Sequence, residues 1–232
     1  MHMEKFGTTE EQMALVAVKN HQNALSNPYA QFHRQITMED VLRSTKLADP
    51  IKLLDASPIS DGAAALILVS KDYAQKNSVE PVWIAGSGCA TDTISLHDRD
   101  DMLTLKATVL AAKQAYQQAG VGPGDVQIAE VHDCFTIAEL LAIEDLGFVE
   151  KGKSGPFVQA GNTDITGKIP INVSGGLKAK GHPIGATGVM QAVEIVSILS
   201  GRTKGKCINA EIGLTHNIGG SGGTAVVHIF KK

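Results

Sequence analysis

Asn172-Val173-Ser174-Gly175-Gly176-Leu177-Lys178-Ala179-Lys180-Gly181-His182-Pro183-Ile184-Gly185-Ala186-Thr187-Gly188 places one histidine on a glycine-rich turn. An apolar strand precedes it and a long apolar helix follows. The glycines let backbone approach a ligand closely, because they carry no Cβ. Pro183 stiffens the residue after the histidine by fixing its own φ. A histidine held this firmly points to chemistry. The plainer alternative is a tight strand-to-helix turn that the histidine merely caps.

Outward from this run the chain alternates regularly. Strands are expected at residues 82–86, 126–131, 169–173, 207–212 and 224–230. Helices are expected at 103–119, 135–146 and 187–199, closed by Gly120, Gly147 and Gly201. The order βαβαβαββ predicts an α/β fold with a mixed five-stranded sheet covered by helices. The 187–199 helix is apolar almost all round, so it should lie between two layers. A five-layer α/β/α/β/α stack would bury it.

The first part of the chain reads differently. Residues 8–26 form a helix capped by Thr8 or Thr9, with Glu10 and Glu11 in its first turn and Asn27-Pro28 at its end. A short helix follows at 38–44, begun by Thr37. Ser60-Asp61-Gly62 is a turn signal before Ala63-Ala64-Ala65-Leu66-Ile67-Leu68-Val69, an apolar run of strand length. Apolar residues on both faces imply a strand covered on both sides. Either it joins the later sheet, or its own sheet lies mostly in another polypeptide. A helix is expected at 71–76.

Composition sets bounds. The chain has 232 residues, 43% hydrophobic and 19% charged, an ordinary globular balance. A net charge of −3 argues against a nucleic-acid or anionic-membrane binder. No apolar stretch approaches the roughly 20 residues needed to span a bilayer, and the start lacks the apolar core of a signal peptide. The three cysteines, Cys89, Cys134 and Cys207, read as reduced thiols of a cytoplasmic protein.

Polar clusters punctuate the alternating region at strand ends, where ligands of open α/β sheets bind. They are Glu130-Val131-His132-Asp133-Cys134-Phe135-Thr136, the His182 turn, and His216-Asn217-Ile218-Gly219-Gly220-Ser221-Gly222-Gly223 between the last two strands. Singly, each has a plain reading. Asp133 caps a helix, Cys134 is a small buried hydrophobe, and the glycines form a link. Their joint occurrence favours a site. A zinc centre of His132, Cys134, His182 and His216 fits no common ligand spacing, and the glycine run lacks the Gly-Lys-Ser/Thr of a phosphate loop.

Together these motifs resemble the C-terminal half of a thiolase (acetyl-CoA C-acetyltransferase), in the sterol-carrier-protein-type and archaeal acetoacetyl-CoA branch. Gly181-His182-Pro183 matches the family's Gly-His-Pro. His132-Asp133-Cys134-Phe135 stands for its Asn-Glu-Ala-Phe, in the variant of that branch. Asn217-Ile218-Gly219 stands for Cys-x-Gly, with asparagine at the cysteine position. Glu144-Asp145-Leu146-Gly147-Phe148 and Ser60-Asp61-Gly62-Ala63-Ala64 are similar to the branch as well.

The resemblance implies the thiolase fold, with residues 1–60 in its loop region, 61–80 as the last strand and helix of the N-terminal half, and 81–232 as the C-terminal domain. It implies Claisen chemistry on coenzyme A thioesters, with coenzyme A as substrate and no separate cofactor. His182 would activate a nucleophilic cysteine, Cys134 would take the α-proton in place of the residue that is Asn217 here, and His132 and the Gly219 N–H would stabilise oxyanions. Ser57, Phe135 and His216 would contact substrate. Cys89 has no such role in the family. The nucleophile belongs to an N-terminal half, so the resemblance implies a partner chain, an oligomer and, in the archaeal branch, an OB-fold companion. A non-catalytic scaffold or orphan fragment, and a thiolase-like retro-aldolase, are the alternative readings.

Overall fold

Local capping chemistry sets several helix ends in the computed structural model, which describes residues 1–203 and 208–232. Helix α1 spans His2–Phe6 and α2 spans Glu10–Ala24. Thr9 and Gln12 close a reciprocal capping box at the start of α2. Thr37 and Asp40 do the same for α3, Met38–Arg43. Ser70 caps α4, Lys71–Lys76. Helix α5, Lys106–Ala119, ends at Gly120 in the left-handed region, φ 64°. Helices α6 (Thr136–Asp145), α7 (Ser154–Gln159) and α8 (Thr187–Leu199) follow.

Strands β1 (Lys46–Ala48) and β2 (Ile51–Lys52) make a small antiparallel pair. Strands β3 (Trp83–Thr91), β4 (Ile128–Glu130), β5 (Ile212–Gly219) and β6 (Thr224–Lys231) form a mixed sheet in the order β3-β6-β5-β4, with β4 and β5 parallel. Side chains alternate across it. Ala225, Val227 and Ile229 of β6 join a core with Ala107, Ala111 and Ala115 of α5, while Phe230 joins Ile195 and Ile198 of α8 on the other face. Gly86 and Gly88 allow α5 to lie directly on β3: a Cβ there would meet the Ala115 and Ala111 carbonyl oxygens at 2.1 and 1.9 Å.

The sheet has four strands where five were expected. Residues 169–173 contribute only the bridge of Ile171 to Ala129. Asn172 takes a left-handed φ of 55° that breaks the strand, and its side-chain oxygen accepts the Val131 N–H at 2.8 Å. Residues 63–69 form no strand and pair with none among the described residues; they are mostly exposed, and residues 63–65 line a cavity with Met190 and Val193 of α8. The last hairpin starts later than expected. Its first strand is Ile212–Gly219, so His216 and Asn217 are strand residues, and Cys207 lies outside the described residues. Helix α5 begins after residue 103, because the Asp145 carboxylate captures the Leu105 N–H at 2.8 Å.

Helix α8 buries one face only. Gln191, Ala192, Ile195, Ile198 and Leu199 are buried, and Val189, Met190, Val193 and Val196 are half-buried. Within this chain the layers are therefore helix, sheet, helix.

Candidate active site

The site is built where β4 ends and the glycine turn begins. Strand β4 delivers Glu130, and the chain continues through Val131 and His132 to Asp133, all buried. The two carboxylates brace the turn, Glu130 at its ends and Asp133 at its middle. Glu130 accepts the Ser174 N–H at 3.0 Å and the Ser174 hydroxyl at 2.5 Å, and Lys180 lies 3.6 Å from it. Asp133 accepts the backbone N–H groups of Leu177 at 2.6 Å and Lys178 at 3.2 Å, and the Asn20 amide at 2.7 Å. Asp133 therefore does not cap α6, whose N-terminus has no side-chain cap. It fixes a π-helical turn, Gly176–Lys180, far along the sequence. Gly176 has φ 58°, and a Cβ there would stand 2.3 Å from the Asp133 carboxylate, so only glycine fits.

Helix α2 and the turn after it back this wall with polar side chains. Lys19 pairs with Glu139 at 2.7 Å, and the amides of Asn23 and Asn27 donate to the carbonyls of Asn172 and Ser174 at 3.1 and 2.8 Å. Residues 56–60 lace its outer side. Ala56 bridges Phe135, the Ser57 N–H donates to the Cys134 carbonyl at 2.8 Å, and Ile59 bridges His182. The His182 N–H donates to the Ser60 hydroxyl at 3.0 Å.

His132, Cys134, His182, Asn217 and Gly219 line one cavity of about 530 Å³ with Ile184, Thr187, Gly188 and His228. The His132 and His182 rings stand perpendicular, with centroids 5.0 Å apart. His182 Nδ1 lies 2.8 Å from the Thr187 hydroxyl, which itself donates to the Pro183 carbonyl at 3.1 Å. The hydroxyl proton is thus committed, and its oxygen accepts from His182 Nδ1–H. The His182 Nε2 lone pair is left free, as a proton acceptor requires. Burial lowers the His182 pKa and keeps the ring neutral. Burial likewise pulls His132 down to about 4, against the Asn217 hydrogen bond. Cys134 is pushed up to about 11 by burial and by the Asp133 charge, so it rests as a thiol.

Three of the expected contact residues lie elsewhere. His216 is wholly buried and turned to the opposite face of the sheet, its Nε2 2.9 Å from the Thr108 hydroxyl of α5. Strand alternation explains the split: if Asn217 faces the cavity, His216 cannot. Burial lowers His216 to about 3. Ser57 and the exposed Phe135 sit beside the Cys134 backbone, outside the cavity lining.

His228 is a lining residue that the sequence reading passed over. Its Nδ1 is buried with no hydrogen-bond partner among the described residues. A lone histidine in an alternating apolar strand was the available signal.

Two family descriptions match the chain: "Thiolase, N-terminal domain" over residues 1–72 and "Thiolase C-terminal domain-like" over residues 88–232. The chain belongs to the thiolase family. It carries parts of both domains, which corrects the expectation of a C-terminal half alone. Acetyl-CoA acetyltransferase of Methanothermobacter thermautotrophicus is 55% identical over all of this chain, which spans 61% of that relative. Sterol carrier protein 2 of Bos taurus is 39% identical over 99% of the chain, which spans 43% of it. Among solved structures, the "Ltp2-ChsH2(DUF35) aldolase" aligns with a TM-score of 0.88 at 26% identity, over 99% of this chain and 60% of that one. A monomeric SCP2-thiolase like protein type 1 from Mycobacterium smegmatis shares the fold, with a TM-score of 0.74 at 21% identity over 99% of this chain and 48% of that one. Among the described residues no helix is long and apolar enough to cross a membrane.

Proposed function

We propose that this chain supplies the histidine–cysteine side of a thiolase active site, forming or cleaving acetoacetyl-CoA or another 3-ketoacyl-CoA. The observation that carries the reading is the shared cavity of His132, Cys134, His182, Asn217 and Gly219, drawn from three separated stretches of sequence. Coenzyme A enters as the substrate thioester.

His182, neutral with a free Nε2, takes the proton of a cysteine nucleophile supplied from outside residues 1–232. That cysteine accepts the acyl group from coenzyme A. Cys134 removes the α-proton of the second thioester and becomes reactive only as a thiolate. The Gly219 N–H stabilises one oxyanion directly, and His132 stabilises the other through a bound water; a direct donor of this kind is worth roughly 2.7–4 kcal/mol of barrier. Ser57 and Phe135 flank the path of the pantetheine arm. His216 supports the sheet behind the site.

The structural likeness to a chain named as an aldolase favours one second reading, a retro-aldol cleavage that releases a ketone and an acyl-CoA, with a DUF35-type companion protein. Thiolysis separates the two. Residues 1–232 are combined with the leading segment of the Methanothermobacter relative and given acetoacetyl-CoA and coenzyme A. Acetyl-CoA production, lost by at least about 100-fold in His182→Ala, is the expected result. An associated but inert mixture overturns the thiolase reading. Ketone release from a branched 3-hydroxyacyl-CoA under the same conditions establishes the second.

A further inference from the structure

Gln191 is the one amide on the buried face of α8, one turn after the buried Thr187, and is wholly buried. Its amide lies between two fixed groups. One is the backbone carbonyl of His216, which can only accept, so Gln191 Nε2 points at it, 3.3 Å away. The other end, Oε1, accepts from Asn217 Nδ2. Asn217 is thereby oriented too, and its Oδ1 is presented to His132 Nδ1 at 3.1 Å. An amide oxygen carries no proton, so the hydrogen of this contact sits on His132 Nδ1. A neutral imidazole has a single N–H, and the second ring nitrogen, Nε2, is left as a lone pair.

The geometry assigns Gln191 as a positioning residue that, through Asn217, locks His132 in its Nδ1–H tautomer and presents its Nε2 to the cavity as a hydrogen-bond acceptor. The direction of the relay is set by a backbone carbonyl, which cannot be flipped as a side-chain amide can. In the resting site His132 therefore reaches a substrate oxyanion through a water molecule. One water hydrogen goes to Nε2 and the other to the oxyanion, and no proton changes owner. This consequence rests on the acyl-CoA reading above; the tautomer itself does not.

The test reads the ring nitrogens of residues 1–232 labelled with ¹⁵N-histidine, by long-range ¹H–¹⁵N correlation near neutral pH. His132 is expected to show a pyrrole-type Nδ1 and a pyridine-type Nε2. A pyrrole-type Nε2 overturns the assignment. Gln191→Leu removes the relay at similar volume, and His132 is expected to lose the fixed tautomer. Gln191→Glu keeps an acceptor opposite Asn217 Nδ2 and is expected to retain it. His182, held separately by Thr187, serves as the internal reference. A Gln191→Leu variant with His132 unchanged, or with His182 altered equally, overturns the proposal. In the combined thiolysis assay Gln191→Leu is expected to lower kcat about tenfold with KM little changed, and Gln191→Glu to restore it. Failure of thiolysis with the tautomer intact rejects the acyl-CoA reading and leaves the relay standing.

Discussion

Residues 61–70 and strand β6 are built from the same kinds of side chain and end in opposite conditions. Strand β6 lies between β3 and β5, and its Ala225, Val227 and Ile229 are wholly buried. In the other stretch Ile67 is 92% exposed and Leu68 74% exposed. Nothing in composition separates them. Strand β6 has an edge on each side that completes its backbone hydrogen bonds; residues 61–70 have none among the described residues. An apolar run therefore encodes a demand for burial, and partners decide whether the demand is met. The unmet demand is gathered in one place. Ala63 to Ala65 face the half-buried Met190 and Val193 of α8 across a cavity of about 690 Å³. Under the proposed reading, that is the side on which the missing part of the site arrives.

The largest effect should come from placing the same charge in both stretches. Val227→Asp puts an unpaired carboxylate in the sheet core and should cost on the order of 4 kcal/mol or abolish folding. Ile67→Asp should change the stability of this chain by less than about 0.5 kcal/mol. Urea denaturation of both variants reads the contrast. Comparable losses would break it.

The glycine turn extends the comparison. Residues 172–181 are poor in large apolar side chains, yet all are buried, because Asp133 and Glu130 satisfy their backbone. Asp133→Ala leaves the N–H groups of Leu177 and Lys178 and the Asn20 amide without an acceptor. The expected loss is about 3 kcal/mol of stability. Gly176→Ala meets the same carboxylate at 2.3 Å in a left-handed backbone, with an expected loss of about 1–3 kcal/mol. Calorimetric melting of the two variants tests whether the carboxylate brace holds the turn. An unchanged midpoint in both would assign the burial of the turn to something else.

What the sequence disclosed follows the same division. Most helix ends depend on neighbours within a few residues, so Thr9, Thr37 and Gly120 marked them correctly, and the 71–76 and 187–199 helices matched at both ends. Strands depend on distant edges. Residues 63–69 and 169–173 had the pattern of strands without the partners, and Asn172 turned its side chain into the ladder instead. The site motifs were legible because their residue types are chemically loaded. Their facing was less so: reading His216 and Asn217 as loop residues hid the alternation that sends one to α5 and the other to the cavity. Asp133, Ser60 and Gln191 act through contacts far along the chain, and no local pattern announces such a role. A single amide among the mostly apolar buried residues of α8 was the one trace that Gln191 left.

The smallest effect sharpens the contrast at single-residue scale. Cys89 and Cys134 are both free thiols, one exposed on β3 and the other half-buried in the cavity. Burial and the Asp133 charge hold Cys134 near a pKa of about 11, so at pH 8 only about one molecule in a thousand carries its thiolate. Iodoacetamide labelling followed by peptide mass spectrometry should modify Cys89 first, with the Cys134 rate rising about tenfold per pH unit between pH 8 and 10. Equal rates at pH 7.5 would show that the cavity does not restrain Cys134. The restraint bears on the proposed chemistry. A base that rests protonated must lose its proton within the assembled site before it can remove one from substrate. The free Nε2 of His182 lines the same cavity and is a group able to receive it. Burying Cys134 further, or strengthening the Asp133 charge, should therefore slow acyl transfer, and a thioester that fills the cavity should protect Cys134 from labelling.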